Sequence, residues 1–215
     1  MYFLFMFVLI PAVLIYASLK AENKIINLLI VIGGVCGVLV SAITAVFSYM
    51  HRIPEYNFFS NFVYYVLRIY GLPMVLLFLV HIVCTKDDRL VRIKAFFPLV
   101  ASFYAIYMPY IIVSSGNSAY AFFSLFIKPV LVLSMIFLCS RLVFNMYDGF
   151  AKKFIGKMIV NGILFIAAVS FPAVLETMWL LHILIPVYYA AAVLYGAGAL
   201  FLFFRESRNG NVYFF

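Results

Sequence analysis

Apolar residues run along this chain in long blocks, at approximately 2–19, 25–49, 61–84, 92–113, 120–145, 155–175 and 179–204, separated by short polar stretches. An α-helix rises 1.5 Å per residue, so about 20 apolar residues cross a hydrocarbon core of roughly 30 Å. Each block meets or approaches that length, and the pattern predicts seven spanning helices. The tract 158–204 is the least divided. Pro172, Glu176 and Trp179 put a corner in it, because proline breaks the helical hydrogen-bond ladder and tryptophan prefers the interface. Six helices with a re-entrant stretch is the alternative.

The basic residues fall into every second connection. Lys20 and Lys24 follow the first block; Lys86, Arg89, Arg92 and Lys94 follow the third. Arg141, Lys152, Lys153 and Lys157 follow the fifth, and Arg205 and Arg208 the seventh, which makes 12 of the 15 lysines and arginines. The other set of connections holds only Arg52. Short cytoplasmic loops collect Lys and Arg, so the expected topology has the N-terminus outside and the C-terminus inside. Tyrosines are enriched on the opposite side. Tyr49, Tyr56, Tyr64, Tyr65, Tyr70, Tyr104, Tyr107, Tyr110, Tyr120, Tyr188 and Tyr189 all map to the outer half. An interfacial belt accounts for those at segment ends, but belts form at both faces.

Composition agrees with a membrane chain. With 68% hydrophobic and 10% charged residues over 215 positions, it lies far from the roughly 25% charged residues of soluble domains. The expected fold is an all-α polytopic membrane bundle, one seven-helix domain over 1–204 with a short cytoplasmic tail at 205–215. The +8 balance is spread over short loops, which fits topology and an anionic leaflet rather than nucleic acid. The expected location is the bacterial cytoplasmic membrane. The N-terminal block lacks the positive region that opens a signal peptide, its first charges coming after it, and reads as a retained first helix.

Two cations escape the topology rule. Arg68 lies about six residues into the third block from outside, or roughly 9 Å deep; Lys128 lies about eight into the fifth, or roughly 12 Å. Snorkelling to the headgroups is the bland explanation of either. Two at matched depth favour a shared polar cavity, since a charge there costs about 2.5–3.5 kcal/mol unless it finds water or a partner. Pro129, after Lys128, and Gly71 with Pro73, after Arg68, offer kinks that open such space. Glu176 is a candidate counter-ion for one cation, leaving net positive charge. Tyr64, Tyr104 and Tyr107 could wall the cavity, and His182 could join its rim, as could His51. The expected occupant is a small ligand with a carboxylate or phosphate.

Other chemistry finds little support. Cys36, Cys84 and Cys139 are isolated, and His81 is far from the other histidines, so neither a disulfide framework nor a metal site is expected. No HExxH, GxSxG or paired-carboxylate pattern occurs, no cofactor is implied, and an enzyme is not expected. The serines read as helix-satisfying groups. Gly33 and Gly37 form a GxxxG, which favours tight helix contact within the bundle or, as the sharper alternative, a homodimer. Matched prolines in the first and fifth and the third and seventh blocks hint at an internal repeat without wider similarity. By topology alone the chain resembles bacterial seven-helix sensor input modules, which implies a receptor or sensor feeding a cytoplasmic effector, here on a separate partner chain. The alternatives are a small-solute transporter or facilitator, weakened by the absence of acids deep in the spans, and a structural subunit of a membrane complex.

Overall fold

The computed structural model describes residues 24–48, 57–85, 94–114 and 127–208. Among these residues the chain is helical and contains no strand. Six helices follow in order: α1 (Lys24–Ser48), α2 (Phe58–Cys84), α3 (Phe96–Ser114), α4 (Lys128–Ala151), α5 (Ile155–Leu180) and α6 (Ile185–Arg208). All but α3 contain an apolar stretch long enough to cross a membrane. These five make the chain an integral membrane protein. The expected first helix at 2–19, His51 and most of the connections lie outside the described residues.

Two compact units divide these helices, one comprising 24–48, 77–85, 94–114 and 127–133, the other 57–76 and 134–208. In the first unit α1 lies close against α3, and glycine is the reason. A Cβ on Gly37 would stand 2.8 Å from the Phe103 carbonyl oxygen, and one on Gly33 would collide with the Ser102 hydroxyl and the Leu99 carbonyl. The GxxxG face is therefore covered within the chain. Ser41 and Ser102 donate to carbonyls of their own helices, Gly37 and Leu99, at 2.7 and 2.9 Å. The outer stripe of α1, with Val31, Val35, Val38, Leu39 and Val46, is exposed and apolar. Such a stripe is stable against lipid and would aggregate in water. By contrast, α3 is buried on nearly every side, with Leu99, Val100, Phe103, Tyr104, Tyr107 and Met108 inaccessible; a helix apolar all round is an interior one.

In the second unit α4, α5 and α6 follow one another through short turns. Phe137 packs on Phe203 at 5.0 Å between ring centres, and Phe171 on Tyr195 at 4.9 Å. The sequence-based corner at Pro172 is not there. Pro172 is inside α5, which continues to Leu180, and the turn falls at 181–184. Proline removes the N–H that would serve the carbonyl four residues back, Ala168. The Tyr195 hydroxyl of α6 donates to that carbonyl at 2.8 Å, so the helix keeps its bonding through a neighbour, as membrane helices commonly do. The end of α4 is also later than the apolar block at 120–145 predicts. It reaches Ala151, and Arg141, expected in a loop, sits half-buried within the helix.

Both turns close in the same way. After α4, the Phe154 N–H bonds the Gly149 carbonyl at 2.8 Å and Lys153 N–H bonds Phe150; after α5, Ile183 N–H bonds Met178 at 3.0 Å and His182 N–H bonds Trp179. These paired bonds are a Schellman cap, whose left-handed position usually holds glycine. Here it holds Lys153 at φ 55° and His182 at φ 53°.

Candidate functional site

Within α2 the backbone widens into a π-helical turn over Val66–Tyr70. Pro73 explains it: its ring presses on the carbonyl four residues back, Ile69, and it lacks the N–H that carbonyl would take. The added residue per turn relieves that clash, and Gly71 donates its N–H to Val66. A Cβ at Gly71 would lie 2.8 Å from the Val66 oxygen, so glycine is required by this close approach. Isolated π turns of this kind recur at functional sites.

The turn carries two polar side chains. Arg68, half-buried, holds its guanidinium 5.2 Å from the centre of the Tyr64 ring, one turn earlier. Tyr70, fully buried, donates its hydroxyl to a Glu176 carboxylate oxygen at 2.8 Å, joining α2 to α5. Two residues along a helix are about half a turn apart, so Arg68 and Tyr70 leave the π turn on nearly opposite sides. Tyr188, near the start of α6, is fully buried as well. Its ring is 5.3 Å from Trp179, which also meets Tyr189 at 6.1 Å edge to face. A buried carboxylate is tolerated only when donors replace its water, and the Tyr70 hydroxyl supplies one.

The second unit thus brings together Tyr64 with Arg68, and Tyr70 with Glu176. Glu176 lies within α5 rather than at a corner and is buried. His182 is exposed in the α5–α6 turn, with its ring 6.4 Å from Trp179. The other expected site residues belong to the first unit. Lys128 is buried at the start of α4. Tyr104 and Tyr107 are fully buried and form an aromatic ladder, each about one ring from Phe103 at 5.0 and 5.2 Å, with Tyr107 stacked on Tyr110 at 6.4 Å. His81, also in the first unit, is buried edge-on to Phe96 at 5.3 Å. No group of three His, Cys, Asp or Glu side chains among the described residues could hold a metal ion.

Sequence reasoning missed Tyr70 as the donor to Glu176. The signal available was the acid itself: a carboxylate in an apolar block demands buried donors, and the chain offers 16 tyrosines. Compared with known proteins, the chain matches no family profile, no curated protein and no solved structure.

Proposed function

We propose that this chain is a receptor-like module of the bacterial cytoplasmic membrane, with seven spans over 1–204, the N-terminus outside and the C-terminus inside, that recognises a small anionic ligand without chemical conversion. One observation carries the reading: the π turn Val66–Tyr70 bears a cation on one side and, on the other, the tyrosine that binds Glu176. A ligand carboxylate or phosphate drawn to Arg68 acts on a π turn that a one-residue change of register would convert to the ordinary α form. Any change of register rotates Tyr70 and so alters its grip on α5. Ligands shift such equilibria by binding one state better. Tyr64 and His182, in the same unit as Arg68, remain candidates for the same ligand, and the basic 146–157 region is the natural output to a cytoplasmic effector.

A facilitator for a polar solute is the second reading, favoured by Pro109 and Pro172 inside helices. Thermal-shift screening of the purified chain against anionic metabolites tests the first. A true ligand raises the unfolding midpoint of the native chain and loses this effect in Arg68→Ala, with Lys128→Ala reporting on the second cation. Equal stabilisation of native and both variant chains would remove the anion site. Saturable uptake of the same solute into proteoliposomes would instead select the facilitator.

A further inference from the structure

The turn between α4 and α5 has features that neither capping nor the receptor reading requires. Only residues 152–154 separate the two helices. Those helices have 24 and 26 residues, or about 36 and 39 Å at 1.5 Å per residue, against a hydrocarbon core of roughly 30 Å. Their shared end must therefore reach the headgroup layer. There it presents three lysines and three large apolar side chains on one short segment. Phe150, Phe154 and Ile155 are 65%, 63% and 69% exposed. Lys152 and Lys153 are exposed and Lys157 is half-buried.

The lysines are held, not loose. Asp148 pairs with Lys157 at 2.7 Å and with Lys152 at 3.0 Å, which fixes two ammonium groups beside each other on the α4–α5 junction. Lys153 takes no part in that pair. It occupies the left-handed cap position at φ 55°, where glycine would be easier. Three cations against one acid leave two net positive charges at headgroup depth, ringed by side chains that suit acyl chains.

We propose that this turn is a binding site for an anionic phospholipid: the headgroup phosphate lies against Lys152, Lys153 and Lys157, and the upper acyl chain lies along Phe150, Phe154 and Ile155. The inference stands on the membrane location and not on the receptor reading. Lysines near an anionic leaflet each contribute attraction equivalent to about fivefold in affinity, and aromatic side chains anchor at the same depth.

The test uses the full chain in mixed micelles of phosphatidylglycerol and phosphatidylcholine, with retained lipids counted by native mass spectrometry. The native chain should retain phosphatidylglycerol in clear preference. Lys152→Gln with Lys157→Gln and Lys153→Gly, the last of which suits the cap geometry, should lower that preference by about fivefold per lysine. Asp148→Asn removes the competing acid and should raise it. Arg205→Gln with Arg208→Gln, at the end of α6, should leave it unchanged. An undiminished preference in the lysine variant, or an equal loss in the arginine variant, would overturn the site. Displacement of the lipid by excess soluble glycerol phosphate would also overturn it, since the turn would then read phosphate alone.

Discussion

The two ends of α5 are closed by the same backbone device and furnished in opposite ways. At the Ile155 end the turn is basic and open. Asp148 draws in Lys152 and Lys157 at the surface, and exposed ion pairs of this kind contribute little to stability. At the Leu180 end the turn itself, Leu181–Leu184, holds no lysine or arginine. The acid there, Glu176, is withdrawn into the helix and served by Tyr70. One end uses charge to meet the outside of the molecule; the other uses it to tie helices together. Identical local geometry therefore says nothing about role, which is set by whether the charge is left at the surface or buried with a donor.

The comparison breaks most decisively on sidedness. In a background with Cys36, Cys84 and Cys139 replaced, Lys152→Cys should react with an impermeant thiol reagent only from the inside, and His182→Cys only from the outside. Reaction of both from one face would end the assignment of α5 as a span. Next in size is the helix-tying chemistry between the two ends, midway along α5. Tyr195→Phe leaves the Ala168 carbonyl without its donor and should cost about 1–3 kcal/mol in reversible unfolding in mixed micelles. Adding Pro172→Ala supplies a new N–H and should recover part of that loss; no recovery would show that the loss does not come from the Ala168 carbonyl. The smallest effect should be shared by both turns. Lys153→Gly and His182→Gly each remove a left-handed non-glycine residue and should gain about 1 kcal/mol. A gain at one turn alone would mean that the other histidine or lysine is held there by contacts worth as much as the strain.

Much of the helical plan was legible. Block length alone located α1, α2, α3 and the bulk of α5, because burial of the backbone in lipid leaves little choice but a helix. Its errors share one cause. Pro172 reads as a breaker only when the freed carbonyl has no partner, and Tyr195, its rescuer, is in the next helix. Asp148 reads as a loop residue, beyond the block 120–145, yet α4 continues through it, with Asp148 paired to lysines four and nine positions on. The candidate site follows the same rule. Arg68 and Glu176 stand out in sequence because charge in an apolar block is conspicuous. The Tyr70–Glu176 bond spans 106 positions, which no local spacing encodes; the π turn is local, and Gly71 with Pro73 mark a distortion there without showing its form.

The chain has a single tryptophan, and it is at the buried end of α5, 5.3 Å from Tyr188. Nature has thus built an optical probe into the acidic end and left the basic end dark. Ultraviolet light absorbed by Tyr188 and Tyr189 passes efficiently to a neighbouring indole at such separations. Emission from this one residue consequently responds to changes around Trp179, Tyr188 and Tyr189 in the unlabelled protein, at the end of α5 away from the lysine turn.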